Sequence, residues 1–208
     1  MRQTRVYCHT RGRMKEPRTR LTMQGVMKTY LSLRFGRMLS ATEASSLAAH
    51  AHDAGWEPQI RRSERFARTY ALLSGTRDAA TDSFVSEYAG AERFADPLLA
   101  LSIEPDAADG LPSLTAALKG HGGPEGILTA EIVEHELLIE FFPARTSWRL
   151  VRALIDVELG RYGSIVRRTT LLSPISPEME TQIAADGLQE PELNESRVLE
   201  ALMGDADR

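Results

Sequence analysis

The sequence predicts an α+β protein in which the order strand, helix, strand, strand, helix, strand occurs and then nearly recurs, followed by a short helical extension. Two observations predict this class. Apolar residues switch between the two-residue spacing of strands and the wider spacing of helices along residues 27–172. The stretch Ile127–Leu172 is the most apolar and most clearly patterned part of the chain, so we expect it to lie in the core.

The first elements of the chain are a strand and a capped helix. Apolar and other residues alternate along Tyr30–Phe35, which predicts a strand. Ser40 and Glu43 form the pattern of a capping box, in which each side chain satisfies a free backbone N–H of the other. The predicted helix therefore begins after Ser40 and continues to about Ala54, where Gly55 ends it.

The next elements complete a six-element unit. Trp56–Ser74 reads as two strands around a turn at Arg61–Glu64, and Thr76–Ala89 reads as a helix that Gly90 ends. Pro97–Ile103 is the predicted last strand. This βαββαβ order is that of the ferredoxin-like split βαβ unit, so we predict a ferredoxin-like first half over residues 27–104.

A second ferredoxin-like half is predicted over residues 105–172. Leu111–Lys119 is a short predicted helix, and Ile127–Phe142 is a predicted hairpin with its turn at Glu134–Glu136. The turn lacks the Asn-Gly or Gly-X sequence of tight hairpins, so a helix within Ile127–Phe142 remains an alternative. The first strand of this half is either missing or shared with Pro97–Ile103.

The last elements of the second half are a helix and a strand. Thr146 or Ser147 caps the helix, and the final strand ends at Leu172. We expect one broad apolar stripe of the helix to be buried. Its members recur at helical spacing and are Trp148, Val151, Ile155, Leu159 and Tyr162, widened by Leu150, Leu154 and Val157.

The two ends of the chain are predicted to lie outside the core. Residues 1–26 are strongly basic, and we interpret them as a disordered extension or an upstream start. Residues 173–208 are interpreted as a helical extension that contains a short helix before Gly187 and a last helix over Glu192–Met203. The last helix presents apolar side chains, and we predict that it contacts a protein; these residues are Leu193, Val198, Leu199 and Leu202.

Composition excludes several classes of site. The 208 residues include one cysteine, so the chain alone forms no disulfide framework or thiolate metal site, and we expect a reducing, cytoplasmic setting. No apolar run approaches the ~20 residues that span a bilayer, so we expect no membrane partner. The glycine-rich stretch Gly120–Gly126 lies between a helix and a strand and lacks the Gly-Lys-Ser/Thr of a phosphate loop. We predict no catalytic residue, no cofactor and no metal.

Arginines next to aromatic residues on the predicted sheets indicate a second kind of site. Such sheets bind single-stranded RNA when bases stack on exposed aromatics while arginines hold phosphates. The candidate nucleic-acid-binding residues are Arg61, Arg62, Arg65, Arg68, Arg167 and Arg168.

Three functional hypotheses follow. The first is a non-catalytic protein-binding or assembly module of a larger system, with a protein partner or self-association. The second is an RNA-binding or RNA-processing protein of tandem ferredoxin-like build. The third is a small-molecule enzyme whose site the sequence does not reveal, and we favour the first because no catalytic motif is present.

Overall fold

The computed structural model of the chain describes residues 29–75, 88 and 90–187. The basic segment 1–26 and the predicted helix Glu192–Met203, with its four candidate interface residues, lie outside the described residues. The predicted helix Thr76–Ala89 lies outside them as well, except for Tyr88.

The first sheet has four antiparallel strands in the order β2-β3-β1-β4, with β1 and β3 at its centre. Its strands are β1 (Thr29–Phe35), β2 (Trp56–Ser63), β3 (Arg68–Gly75) and β4 (Ala91–Phe94). The first strand lies between the third and the fourth, which is the ferredoxin-like arrangement.

The second sheet repeats this arrangement with the order β6-β7-β5-β8. Its strands are β5 (Leu99–Pro105), β6 (Ile127–Val133), β7 (Glu136–Phe141) and β8 (Val166–Leu171). The predicted α+β class and the two ferredoxin-like halves in tandem are thus confirmed.

One strand belongs to a different half from the one predicted. The sequence predicts Pro97–Ile103 as the last strand of the first half, with a strand shared by the second half as an alternative, but β5 pairs only within the second sheet and is its first strand. The fourth strand of the first sheet is instead Ala91–Phe94, whose four residues include two charges and lack the apolar alternation of a strand. The change from one sheet to the other therefore occurs between Phe94 and Leu99 rather than near residue 104.

Within the described residues, four α-helices flank the sheets, and three of them begin at a serine cap. They are α1 (Ala41–Asp53), α2 (Leu111–Lys119), α3 (Trp148–Gly160) and α4 (Pro177–Ala185). Ser40 and Glu43 make the predicted capping box on α1. Ser147 accepts from the backbone N–H of Leu150 at the start of α3, and Ser176 caps α4 in the same way.

The stretch Ile127–Phe141 is a hairpin, as favoured, and contains no helix. β6 and β7 are joined by the two-residue turn Glu134–His135. Glu134 has a φ of +55°, a left-handed conformation that costs an ordinary residue about 1–2 kcal/mol. The hairpin forms without Asn-Gly because its strands pair along their length and both faces of β7 are buried.

Each sheet packs helices on its outer face. α1 covers the first sheet with Leu47 and Ala51, while α2, α3 and α4 cover the second. The predicted core residues Trp148, Val151, Ile155 and Leu159 are buried in this second core. The core extends over β5, β7 and all three helices, so Ile127–Leu172 is central to it but does not form it alone.

The inner faces of the two sheets pack against each other. One end of this layer is apolar, and its buried members are Tyr70, Leu98, Ala100 and Phe142. A hydrogen bond also joins the halves here, because the backbone N–H of Leu98 donates to Ser32 Oγ (2.9 Å). The described residues therefore form four layers in the order helix, sheet, sheet, helices.

Candidate functional site

The centre of the layer between the sheets is a buried ionic cluster around Glu140. Glu140 lies on β7 and is fully buried. Arg68 Nη1 lies 2.9 Å from its Oε1, and Tyr70 Oη donates to the same oxygen at 2.6 Å. Arg34 Nε donates to Oε1 at 3.0 Å and lies 2.9 Å from Oε2. One carboxylate from the second half thus binds three side chains of the first half.

The surroundings of Glu140 keep it ionised. Burial raises the pKa of a carboxyl group, but the hydrogen bond from Tyr70 and the charges of Arg34 and Arg68 outweigh it, so the pKa of Glu140 lies below its ordinary value. Burial and the adjacent carboxylate raise the pKa of Tyr70 well above its ordinary value. The phenol therefore stays a hydrogen-bond donor, and neither group is poised to exchange a proton near neutral pH.

A second ionic cluster lies where the hairpin turns of the two halves meet. Arg65, in the turn between β2 and β3, lies 2.5 Å from a carboxylate oxygen of Glu136 and 3.6 Å from one of Glu134. Ser102 Oγ donates to the other oxygen of Glu136 at 2.5 Å. Arg168 reaches Glu104 at 3.0 Å. Glu134 and Glu136, at the turn of the second hairpin, thus contact the first half through Arg65.

The six candidate nucleic-acid-binding arginines do not share one open face. Arg61, Arg65 and Arg68 contact the second half, Arg61 by donating to the backbone carbonyl of Leu171. Arg62 points to the α1 side and donates to the carbonyl of Leu39. Arg167 is exposed. Nucleic-acid binding remains a prediction, and these contacts lend it no support.

Other polar groups have structural partners of their own. Asp106 accepts from Ser164 Oγ (2.6 Å) and the backbone N–H of Ile165 (2.9 Å), which lowers its pKa. His50 Nδ1 lies 3.0 Å from Tyr88 Oη. Among the described residues, no three His, Cys, Asp or Glu side chains are grouped so as to hold a metal ion. Nor do residues 29–75 and 90–187 contain a helix long and apolar enough to cross a bilayer.

One gap in the inner layer, between the described residues of the two sheets, is too narrow to hold a ligand. The gap is lined by Ser32, Tyr70, Leu98 and Pro174, among others, and has no room for a water molecule.

The outer side of α3 carries a second apolar stripe. Leu150 is 48% exposed and Val157 is 53% exposed, and the exposed Ala153 and the half-buried Leu154 lie between them. These four residues, which we call the α3 outer stripe, follow the i, i+3, i+4, i+7 spacing of one helix face. Tyr162 and Ile165, which follow the end of α3, are 52% and 68% exposed.

This exposure corrects the prediction that the whole apolar stripe of α3 is buried. Leu150, Val157 and Tyr162 were expected in the core, but they are exposed. At about 100° per residue, Leu150 and Val157 lie roughly 140° and 160°, respectively, from Ile155 around the helix axis. A sheet covers only one side of a helix, so Leu150 and Val157 cannot face the second sheet when Ile155 does. In the sequence, the apolar positions of α3 span more of the helix circumference than one sheet can cover, and this width indicates that some of them are exposed.

Charged side chains lie near both ends of the α3 outer stripe. Arg149 lies at its amino end and Arg161 at its carboxyl end, and both are exposed. Arg152 and Asp156 pair with each other at 2.9 Å on another side of α3. Arg161 also pairs with the largely buried Glu158 at 2.6 Å. The stripe is thus an apolar strip with an arginine near each end.

Comparisons with known proteins yield only remote similarity. No protein-family model matches the chain, and no curated protein matches it. Among solved structures, an unknown protein from Galdieria sulphuraria is 11% identical, with a TM-score of 0.33 over 71% of this chain and 98% of that one. The acetolactate synthase small subunit from Thermotoga maritima is 12% identical, with a TM-score of 0.27 over 71% and 94%. Similarities this low do not bear on function.

Proposed function

We propose that the chain is a non-catalytic protein-binding or assembly module, and that its docking surface is the α3 outer stripe with Tyr162 and Ile165. The observation that carries the proposal is the solvent exposure of Leu150 and Val157 on an otherwise well-packed helix. Isolated exposed apolar residues need no explanation, but a contiguous stripe along a helix face marks an interaction site.

The energetics of burial support this use of the surface. Fully burying a side chain of the size of Leu or Val is worth about 1.5–3 kcal/mol. Leu150 and Val157 would each recover part of that amount against a partner, in addition to the contribution of Tyr162. Tyrosine is enriched at the positions that dominate binding energy in protein interfaces.

The charges near the stripe favour one kind of partner. Arg149 and Arg161 at its two ends are suited to carboxylates, and the central residues Leu150 to Val157 are suited to apolar side chains. The preferred partner is therefore an amphipathic helix with acidic residues on either side of its apolar face. Binding of a second copy of this chain is the other outcome of the test. It would appear in light scattering as a molecular mass that increases with protein concentration.

The test uses a charge placed in the stripe. The wild-type chain, Val157→Glu and the control Ala116→Glu serve as baits in the native host, and the captured proteins are identified by mass. Ala116 is exposed on α2, so the control adds the same charge to another outer helix. We expect one protein to be retained by wild type and by Ala116→Glu and lost by Val157→Glu, and its bound segment to be acidic and amphipathic. Equal retention by all three baits would refute the proposal.

A further inference from the structure

The described chain ends close to the amino end of the α3 outer stripe. α4 ends at Ala185, whose backbone carbonyl accepts a hydrogen bond from Arg149 Nη2 (3.4 Å). Gln182 Nε2 also donates to the carbonyl of Pro143, five residues before α3 begins (3.5 Å). The described chain therefore ends at Gly187, near the first turn of α3, and the sequence has 21 further residues, 188–208.

The distances allow this segment to cover the stripe. The rise of an α-helix is about 1.5 Å per residue, so Leu150 and Val157 are only ~11 Å apart along the α3 axis. Residues 188–191 alone can span up to ~13 Å when extended. A helical segment of 12 residues would be about 18 Å long, which exceeds the length of the stripe.

The composition of residues 188–208 matches the partner chemistry proposed above. The segment contains six acidic residues and two arginines. Val198, Leu199 and Leu202 have the i, i+1, i+4 spacing that groups apolar side chains on one helix face. Acidic residues Glu192, Glu195 and Glu200 lie before and between them, while the stripe has arginines at its ends.

We infer that residues 192–203 of the same chain occupy the α3 outer stripe and compete with the protein partner for it. This inference rests on the proposed function, because it names an internal competitor for the same surface. A short linker gives a tethered segment a millimolar effective concentration, so even a weak contact is largely formed. Partner binding then requires displacement of the tail, which sets a threshold for assembly.

Disulfide trapping in the full-length chain tests the contact. The variant carries Cys8→Ser, Val157→Cys and Leu199→Cys, and the control carries His52→Cys in place of Val157→Cys. His52 is exposed on α1, in the opposite outer layer. Under mild oxidation we expect the first pair to form an intramolecular disulfide at least about tenfold faster than the control, given the local concentration of a tethered segment. Equal rates, or disulfide-linked dimers in place of the intramolecular bond, would overturn the inference.

A binding measurement provides a second readout that does not depend on oxidation. A labelled peptide of residues 188–208 should bind the full chain carrying Leu199→Asp and Leu202→Asp at least about tenfold more tightly than wild type, whose own tail competes. Adding Val157→Glu should abolish that binding. Equal affinity for the tail variant and wild type would overturn the inference. If the disulfide does not form while Val157→Glu still fails to retain the partner, only the inference about residues 192–203 is wrong. If the disulfide forms but Val157→Glu retains the partner as wild type does, only the proposed function is refuted.

Discussion

Replacing Glu140 by Gln should destabilise the protein more than any equivalent change at its surface. The substitution keeps the shape of the side chain and removes the charge that two mostly buried arginines share. Breaking a buried ion pair on one side costs about 3–5 kcal/mol. Arg34 and Arg68 each keep an outer carboxylate, Glu92 and Glu131, so we expect the lower end of that range.

Thermal and urea unfolding measure this effect. For a chain of this size, 1 kcal/mol shifts Tm by about 2–4 °C, so about 3 kcal/mol corresponds to a fall of roughly 6–12 °C. The matched control is Glu131→Gln, which removes a 44% exposed partner of Arg68 and should cost less than about 1 kcal/mol. A loss below ~1 kcal/mol for Glu140→Gln as well would refute the role of Glu140 in joining the halves.

A fourfold replacement separates the loss of the charge from the loss of the contact. Arg34→Met, Arg68→Met, Tyr70→Phe and Glu140→Leu together remove every central member of the cluster. Apolar residues of similar volume often replace buried ion pairs without loss of stability. The fourfold variant should therefore be more stable than Glu140→Gln alone, and a larger loss would show that the ionic contacts themselves stabilise the fold.

Three further predictions concern pH, the core and the arginines. The pKa of Glu140 in the folded protein lies below its ordinary value. The ionised carboxylate therefore contributes its full stabilisation at pH values above the ordinary pKa, and this stabilisation is lost as the pH falls through the folded-state pKa. Between about pH 5 and pH 3, Tm should fall more in wild type than in Glu140→Gln. Trp148→Ala should cost about 3–5 kcal/mol in urea unfolding, because Trp148 is buried, and a cost below ~1 kcal/mol would contradict its place in the core. Arg167→Ala should change the free energy of unfolding by less than about 0.5 kcal/mol, since Arg167 is exposed. Arg68→Ala should destabilise the fold measurably, because Arg68 pairs with Glu140. If these arginines bound RNA, both substitutions would weaken RNA binding in a filter assay.

Most of the fold was accessible from the sequence because its signals are local. The capping box at Ser40 and Glu43, the serine caps of α3 and α4, and the alternation along β1 all act over a few residues. β4 was missed because four residues with two charges have no strand periodicity. The place of β5 was missed because the same apolar run fits the last strand of one half or the first strand of the next.

The site was harder to predict because its contacts are distant in sequence. Arg34 and Glu140 are 106 residues apart, and no local pattern pairs them. A signal was nevertheless present: Glu140 interrupts an apolar strand, and a buried carboxylate requires a cationic or hydrogen-bonding partner. The arginines of β2 and β3 stand out in the sequence, but their pattern is also that of a nucleic-acid-binding sheet. The sequence alone therefore does not reveal that Arg61 and Arg68 contact the second half.

The affinity of the purified partner for two single-charge variants tests directly whether the α3 outer stripe is the docking surface. If the α3 outer stripe is the docking surface, Val157→Glu should weaken binding by about 30-fold, equivalent to ~2 kcal/mol, through loss of a central apolar contact. Ala116→Glu should bind like wild type. Equal affinities of the two variants for the partner would contradict the assignment of this surface.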